Sequence, residues 1–474
     1  MQRIVRWSLA VSVFLAVSYT LAYVPRWYRN VQRSGRLDPR PVRWEGGHLK
    51  SPPEPSWDAV RRWEDNLPQH NLSLPFPEGR NGRYVKFSTQ PGGLGWNNVF
   101  TELILCAHLA YDSGRAYVFR DYSWAINHYP WPIPVWKKGE GAATPRTPLS
   151  ALISGPTAGG NWPAGDDAPR SISERWWDTV CEDPNDVEIL WSDDAKRDVG
   201  NAPGDEVLRH WSRLLRESPK KCIDVRAGPS GNDGFPQTFD LWLVGSSRMV
   251  PLWDIFKDSP TSRLLAASPI VASAVTRNEH LFLPRGPRAR EGSPDPFARM
   301  MAVHMRRGDY EGSCRHFAKW SSSFYGWNQL PVLPDPLVTE PGGESEANTA
   351  IVMRRCWPTV KQALERVREA REAYEWDRDR GEARPLDVIH VLSEGDGGWL
   401  RDFQDGLRAD GWGTVILSKD LVLDSEQTGV GMAVDMEIAR KAAVFIGNGW
   451  SSFTSNIIHR RLVDGREPIA NRFW

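Results

Sequence analysis

The chain has 474 residues, in which 59 Lys and Arg balance 59 Asp and Glu, so its formal net charge is zero. Proteins that coat a polyanion usually carry a net positive charge, and the balance therefore argues against a nucleic-acid-binding protein. Apolar residues make up 40% of the chain, which excludes a chain that is disordered throughout. The 24 Trp are interpreted mainly as core residues, with stacking on sugar faces as the alternative.

An uncharged apolar stretch runs from Trp7 to Val24, with arginines on both sides. As a helix it would be about 27 Å long, close to the ~30 Å hydrocarbon thickness of a bilayer. Residues 1–25 are therefore predicted to form a short tail and a signal-anchor. A cleaved signal peptide is the alternative, but Tyr23 and Val24 offer no clear small-residue cleavage site. We expect a single-pass type II protein of the Golgi or endoplasmic reticulum membrane, with its folded domain in the lumen.

Residues 26–80 are rich in Arg, Pro, Trp and Ser and have no sustained hydrophobic period. This composition predicts a stem between the membrane and a folded domain. An N-glycosylation sequon, residues 71–73, lies in this range and agrees with a lumenal glycoprotein.

The five cysteines are too few for a disulfide scaffold, and none forms the C-x-x-C spacing of a zinc site. In an oxidising compartment the simplest pairing joins Cys181 to Cys222 and Cys314 to Cys356. Cys106, in an apolar helical pattern, would then be buried and free. The spacing alone does not fix this connectivity.

Residues 81–285 are predicted to form a first Rossmann-like domain with long insertions. A strand at 83–89, a Gly-rich turn, a helix at 99–113 and a strand at 116–119 make one βαβ unit. In such units ligands bind at the turn that follows the first strand, although this turn is not a G-x-G-x-x-G dinucleotide fingerprint. Residues 120–240 are interpreted either as acceptor-binding loops or as surface insertions.

Residues 286–474 are predicted to form a second Rossmann-like domain, after a Pro- and Gly-rich linker at 284–296. Strands and helices alternate in it, as in a doubly wound α/β domain. The predicted strands are 301–305, 388–392, 414–417 and 444–446, and the predicted helices are 360–374, 399–407 and 434–442. Two such domains that face a cleft describe a GT-B-like α/β fold. In this chain we expect an N-terminal membrane anchor to precede them.

Two segments of the second domain have phosphate-binding chemistry. Arg306 and Arg307 follow a strand, and guanidinium groups in that position need an anion, either a diphosphate or Asp309. After the last core strand, glycines permit a tight turn and Ser451 and Ser452 begin a helix, whose N-terminus attracts phosphate. A simple N-cap is the alternative for these serines.

Taken together, three motifs resemble those of the GDP-fucose protein O-fucosyltransferase superfamily. They are Gly93 to Asn98, the H-x-R motif His304 to Arg306, and Phe445 to Phe453 with Thr454. Asp435 and Cys314 also fit the pattern of that superfamily. The resemblance covers about residues 84–120 and 300–460.

The resemblance implies inverting transfer of fucose from GDP-fucose to a hydroxyl of a protein or glycan acceptor, without a metal or a cofactor. Arg306 would hold the β-phosphate and stabilise the departing GDP. Asn97 or Asn98 would face the donor and the acceptor, and His304 and Asp435 would contact the guanine. The donor-binding residues implied in this way are Gly93, Gly95, His304, Arg307, Asp435, Ser451, Ser452 and Phe453.

The general base is the main departure from the superfamily. Some relatives have a Glu just before the Gly-rich turn, where this chain has Gln90 and Pro91. Glu102, Asp309 and Glu311 are the remaining candidates, and the choice depends on geometry.

Two alternatives to the GDP-fucose transferase stay open, because a fold does not fix an activity. One is a glycan- or nucleotide-binding protein without turnover, and the other is a transferase that uses a different GDP-sugar. The best D-x-D candidate for a metal, residues 377–379, ends a charged helix and is interpreted as a solvated face.

Overall fold

The computed structural model describes residues 52–89, 94–133, 144–229, 231, 234–283, 295–341, 343–378, 385–393 and 397–474. The elements below belong to one compact unit, residues 52–228 and 235–474. The predicted anchor, the stem up to residue 51, Gly93 and most of the predicted linker lie outside the described residues. No helix among the described residues is long and apolar enough to cross a membrane.

The first half of this unit contains ten helices of at least one α-helical turn among its described residues. They are α1 (Asp58–Asp65), α2 (Trp96–Asp112), α3 (Leu149–Leu152), α4 (Trp177–Val180), α5 (Ser192–Val199), α6 (Gly204–Glu217), α7 (Leu241–Val244), α8 (Leu252–Phe256), α9 (Pro260–Arg263) and α10 (Pro269–Asn278). Its strands are β1 (Tyr84–Phe87), β2 (Ala116–Phe119), β3 (Tyr122–Ser123), β4 (Arg146–Thr147), β5 (Ile153–Ser154), β6 (Ile172–Ser173), β7 (Val187–Trp191), β8 (Cys222–Arg226) and β9 (Ala266–Ala267).

Five of these strands form a parallel sheet in the order β6-β2-β1-β8-β7. Tyr84 of β1 is in register with Ala116 of β2 on one side and with Cys222 of β8 on the other. Strand β2 is buried throughout and α2 is buried on most of its surface, as expected where helices cover a parallel sheet. The predicted βαβ unit is therefore confirmed.

Helix α2 begins three residues earlier than predicted, because Gly95 takes an extended conformation and leaves Trp96 to start the helix. At the other end, the amide of Gly114 donates to Tyr111 and the amide of Arg115 donates to Ala110. This is the Schellman pattern, in which glycine supplies the left-handed residue, here with φ 69°.

The second half alternates helices and strands, as predicted. Its helices are α11 (Glu311–Lys319), α12 (Glu346–Cys356), α13 (Val360–Arg378), α14 (Gly397–Ala409), α15 (Ser425–Thr428), α16 (Gly431–Lys441) and α17 (Ser452–Val463). Its strands are β10 (Met300–His304), β11 (Val388–Leu392), β12 (Thr414–Leu417), β13 (Val444–Gly447) and β14 (Asn471–Phe473).

The second sheet is also fully parallel, with the order β12-β11-β10-β13-β14. From β10 the chain runs outward through β11 and β12, and it then returns to the other side of β10 for β13 and β14. The strand order therefore reverses between β10 and β13, where Val303 is in register with Ile446. The predicted α/β class with parallel sheets is confirmed.

The two halves contact each other through α17. Ser262 Oγ of α9 lies 2.7 Å from His459 Nε2, and Arg460 donates to the Ser262 carbonyl at 2.6 Å. Burial lowers the pKa of His459 well below its usual value, so the imidazole of this contact is neutral.

The described part of the predicted stem packs onto the folded unit. Trp57, Glu64 and Leu67 are all buried, and Ser150 of α3 donates to the Glu64 carboxylate at 2.6 Å. Asn71 of the sequon is exposed, and its side chain accepts from the Ser73 amide at 2.9 Å. Residues 57–73 are thus part of the globular structure.

Both expected disulfides are present. Cys181 pairs with Cys222 of β8, and Cys314 of α11 pairs with Cys356 of α12. Cys106 is free and buried within α2, as predicted.

Candidate active site

The two phosphate-binding segments predicted from the sequence follow neighbouring parallel strands. Arg306 and Arg307 come directly after β10, and residues 448–452 come directly after β13. Parallel strands end at the same edge of a sheet, so both segments lie at that edge. It is also the point where the strand order reverses, and open α/β sheets bind ligands there.

His304 joins the two segments. Its Nδ1 lies 3.0 Å from Thr454 Oγ1, and its ring centroid is 4.6 Å from that of Phe453. The indole of Trp474 donates to the His304 carbonyl at 2.7 Å. Burial, with a smaller contribution from Arg306, lowers the pKa of His304 to about 3. The imidazole is therefore neutral, and Thr454 fixes the orientation of its ring.

Arg306 is partly exposed at the strand end. Its guanidinium carbon lies 5.1 Å from the centroid of the Tyr310 ring, a cation–π distance. The Tyr310 hydroxyl donates to the Trp450 carbonyl at 3.3 Å. Tyr310 therefore connects the Arg306 segment to the turn after β13.

Arg307 lies between two indoles. Its guanidinium carbon is 3.8 Å from the Trp357 ring centroid and 4.4 Å from the Trp399 ring centroid. It also donates to the Pro358 carbonyl at 3.1 Å. The two arginines thus have different surroundings, although the sequence presents them as a pair.

Buried amides hold the turn after β13. The side chain of Asn448 donates to the Cys356 carbonyl at 3.0 Å and accepts from the Trp450 amide at 3.0 Å. Asn328 donates to the carbonyls of Gly449 and Ser451, at 2.9 and 3.2 Å. Both asparagines are almost completely buried, so the path of this turn is closely specified.

Helix α17 begins at Ser452, with Ser451 at the N-cap position. The Ser451 side chain makes no capping hydrogen bond, so the simple N-cap interpretation does not account for this serine. The N-terminus of a helix carries amides without an intrahelical partner and a partial positive charge. This end of α17 therefore has the chemistry of an anion site, and it lies at the same edge of the sheet as Arg306.

Gly449 allows Phe324 to pack against the turn. A Cβ at this position would lie 2.3–2.5 Å from three carbons of the Phe324 ring.

We expect Gly449→Ala to lower the unfolding free energy by about 1–3 kcal/mol, because the core must shift, and to weaken GDP binding. Thermal unfolding and calorimetric titration with GDP would measure both effects. Gly398→Ala, where a Cβ meets nothing within 4 Å, is the control, and equal behaviour of the two variants would contradict this role of Gly449.

The Gly-Asn segment of the first half reaches the same helix from the other side. Asn456 of α17 donates to the Asn97 carbonyl at 2.9 Å, and its side-chain oxygen accepts from Thr101 at 3.0 Å. Asn97 of α2 thus contacts α17, the helix whose first residue ends the predicted phosphate-binding segment. Asn98 lies one turn before Glu102 on α2, and Gly95 is the N-cap of this helix.

Asp435 lies on α16, and its carboxylate is 3.4 Å from Nε2 of the buried His390 on β11. The structure therefore places Asp435 beside β11 of the second sheet. No described contact joins it to His304, Arg306 or Phe453.

The described candidates for a general base are not equivalent. Glu102 is buried on α2 and accepts from the Thr238 amide at 3.1 Å, and burial raises its pKa to about 8. Glu311 is partly exposed and pairs with Arg315 at 2.7 Å. Asp309 lies in the short turn Gly308–Tyr310, and its side chain is outside the described atoms.

Among the described residues, no group of three or more His, Cys, Asp or Glu side chains is arranged to hold a metal ion. The D-x-D candidate lies at the end of α13, which runs to Arg378. Asp379 itself is outside the described residues.

Sequence reasoning missed several residues that build the site. Asn328, Asn456 and Trp357 contact the motif segments from positions distant in the chain. Asn328 and Trp357 belong to segments without a recognisable motif, whereas Asn456 follows Thr454 of the third motif by two residues.

No family model matches the chain, and no curated protein matches it. Among solved structures it is similar to POFUT1 in complex with GDP, at 12% identity and a TM-score of 0.47, covering 81% of this chain and 97% of that chain. It is similar to an Arabidopsis thaliana FUT1 variant in complex with GDP, at 10% identity and a TM-score of 0.35, covering 86% and 73%. It is also similar to NodZ α-1,6-fucosyltransferase co-crystallised with GDP, at 15% identity and a TM-score of 0.30, covering 79% and 91%. At these identities and TM-scores, the likenesses do not establish the family or the activity of the chain.

Proposed function

We propose that the protein is a glycosyltransferase that transfers fucose from GDP-fucose to a hydroxyl group of a protein or glycan acceptor. One observation carries this proposal. The H-x-R segment and the Asn-Gly-Trp-Ser-Ser segment follow β10 and β13, the two strands between which the order of the second sheet reverses. A nucleotide diphosphate placed at this edge would meet cationic and amide donors from both segments.

The charges at this edge suit a departing nucleoside diphosphate. When the bond between the sugar and the β-phosphate breaks, negative charge grows on the leaving phosphate oxygens. The Arg306 guanidinium can bind such oxygens in a bidentate manner, and the N-terminus of α17 adds amide donors. Preorganised donors of this kind stabilise the transition state of transfer.

His304 is suited to hold a nucleobase rather than a phosphate. Its ring is neutral, because burial holds its pKa at about 3, and its Nδ1 is bonded to Thr454. The remaining nitrogen, Nε2, can exchange one hydrogen bond with the guanine. The adjacent Phe453 ring can supply an apolar contact to the base.

The acceptor would approach from the first half of the chain, as in a GT-B arrangement. The proposed reaction is a single displacement. The acceptor oxygen forms a bond to the anomeric carbon on the face opposite GDP, the bond to the β-phosphate breaks, and GDP leaves with that electron pair. The acceptor hydroxyl passes its proton to solvent water, and the configuration at the anomeric carbon inverts. Glu102 is not proposed as the base, because its carboxyl is enclosed and bonded to Thr238.

The proposed location is the lumen of the Golgi or the endoplasmic reticulum, with an N-terminal single-pass anchor. Two disulfides in one compact unit support an oxidising compartment. The exposed Asn71 of the sequon is compatible with glycosylation there.

Release of GDP from GDP-fucose tests the proposal, because it requires no knowledge of the acceptor beyond water or a trial hydroxyl compound. We expect release to continue unchanged in EDTA, since Arg306 and the N-terminus of α17 supply the positive charge. GDP would be measured with and without EDTA and with added Mg²⁺ or Mn²⁺.

Three other results would each overturn a different part of the proposed function. Loss of release in EDTA, restored by a divalent cation, would contradict the metal-independent mechanism. GDP binding without release for any acceptor tried would favour the non-catalytic binding protein. Absence of GDP binding would reject the donor site itself.

A further inference from the structure

Three consecutive residues at the end of α12, Cys356, Trp357 and Pro358, contact both donor-site segments. The Cys356 carbonyl accepts from Asn448, which shapes the turn after β13. The Trp357 ring stacks on Arg307 at 3.8 Å, and the Pro358 carbonyl accepts from Arg307 at 3.1 Å. The two segments therefore share one support.

The Cys314–Cys356 disulfide closes this support into a ring. Cys314 lies on α11, which begins at Glu311, only a short turn after Arg307. From Arg307 the chain runs to Cys314, the disulfide crosses to Cys356, and the adjacent Trp357 returns to Arg307. Both sulfur-bearing residues are fully buried.

We propose that Trp357 and the Cys314–Cys356 disulfide are positioning elements of the donor site, which fix Arg306 and the turn after β13 relative to each other. This inference rests on the proposed function, because it takes GDP as the ligand of that site. In this account Arg307 fixes the backbone and Arg306 meets the diphosphate.

The physical basis is preorganisation. A guanidinium held between two indole rings loses most of its rotamers before any ligand arrives, so the backbone of the neighbouring Arg306 is already set. Asn448 makes the matching bonds on the other segment and is fully buried. Without this support, binding of GDP would have to order both segments, and its affinity would fall.

The first half contains a matched control for the disulfide. Cys181–Cys222 spans 41 residues and Cys314–Cys356 spans 42, so removing either releases nearly the same loop entropy in the unfolded chain. The double variants Cys181→Ala with Cys222→Ala, and Cys314→Ala with Cys356→Ala, would be compared in the full chain. Thermal unfolding and calorimetric titration with GDP are the two measurements.

We expect similar losses of thermal stability in both double variants. The Kd for GDP should rise roughly tenfold in the variant without Cys314–Cys356 and stay unchanged in the other. An effect of this size is expected when a desolvated stacking contact on a guanidinium is lost. An unchanged Kd in that variant, or an equal rise in both variants, would overturn the inference.

Trp357 gives a second test that does not require removal of a disulfide. Trp412 is its control, because it stacks on Arg371 at 4.6 Å in the same half of the chain. We expect Trp357→Leu to raise the Kd for GDP and the KM for GDP-fucose, and Trp357→Phe to restore most of the affinity. Trp412→Leu should lower stability alone. Equal GDP affinities of Trp357→Leu and Trp412→Leu would contradict a positioning role.

Failure of the inference differs from failure of the proposed function. If the unaltered protein does not bind GDP, the proposed function fails first. If it binds GDP and every variant binds equally well, only the positioning role is wrong.

Discussion

Replacement of Arg306 by alanine is expected to reduce the rate of GDP release from GDP-fucose by about 10²–10³-fold, the usual effect of removing one preorganised donor from a developing negative charge. Affinity for GDP should fall as well, because the same side chain meets the diphosphate in the bound state. Arg306 is suited to this role since it stands partly exposed at the end of β10, directly before the turn that leads to Tyr310. Initial rates of GDP release and calorimetric titration with GDP would measure the two effects separately.

Two further variants make this prediction specific. Arg306→Lys keeps the charge but cannot form a bidentate contact, so it should recover only part of the rate. Arg213→Ala, an exposed arginine on α6, should leave both quantities unchanged. Full GDP release by Arg306→Ala would show that another group stabilises the leaving phosphate.

Glu102→Gln is expected to remove a loss of unfolding free energy that occurs as the pH rises. Glu102 is almost completely buried, and burial raises its pKa to about 8, above that of an unfolded glutamate. A raised folded-state pKa favours the folded state at low pH, and this contribution is lost as the pH rises towards 8. Between pH 5 and pH 8 the loss is on the order of 3 kcal/mol. Glutamine keeps the side-chain oxygen that accepts from Thr238 but does not ionise.

The measurement is denaturant unfolding of both proteins between pH 5 and pH 8. The unfolding free energy of the variant should exceed that of the unaltered protein by an amount that grows as the pH rises. Only the unaltered protein has to take up a proton on folding, and proton uptake becomes less favourable at higher pH. Glu311→Gln, at a partly exposed position, is the control and should show no such trend. A constant difference across this range would mean that Glu102 does not bind a proton on folding.

Strand and helix periodicity identified four of the five strands of the second sheet, but not the strand Asn471–Phe473 or the helices Glu311–Lys319 and Glu346–Cys356. The strands Val388–Leu392 and Thr414–Leu417 have the predicted bounds, and Val360–Arg378 begins where predicted. These segments are local and regular, so hydrophobic spacing identifies them. Parallel strands buried on both faces are nearly continuous hydrophobic runs, which makes them easy to locate in the sequence.

The region from 120 to 240 shows the limits of the same reasoning. It contains an amphipathic helix, Gly204–Glu217, and three strands of the first sheet that were not identified. These strands are Ile172–Ser173, Val187–Trp191 and Cys222–Arg226. The strands are short and separated by Pro, Asp and Gly, so they carry little periodic signal. The helix does carry one, since Val207, Leu208, Trp211 and Leu215 are buried at helical spacing. Packing of residues 57–73 against the folded unit was missed for a related reason, because tertiary contacts such as that between Glu64 and Ser150 order a segment without hydrophobic period.

The site was predictable in its motifs but not in its supports. His304, Arg306 and Ser452 belong to segments whose composition already indicates phosphate chemistry. Their neighbours come from far along the chain: Thr454 is 150 residues from His304, and Asn456 is 359 residues from Asn97. Such pairings depend on sheet order and on helix packing, which the sequence pattern does not specify.

The most direct test of the account is a crystal structure of the protein with GDP bound. We predict that the diphosphate lies at the edge between β10 and β13, within hydrogen-bonding distance of the Arg306 guanidinium and of the first amides of α17, with the guanine beside His304. A diphosphate bound elsewhere, with Arg306 and Ser452 not in contact with it, would contradict the central claim that this edge is the donor site.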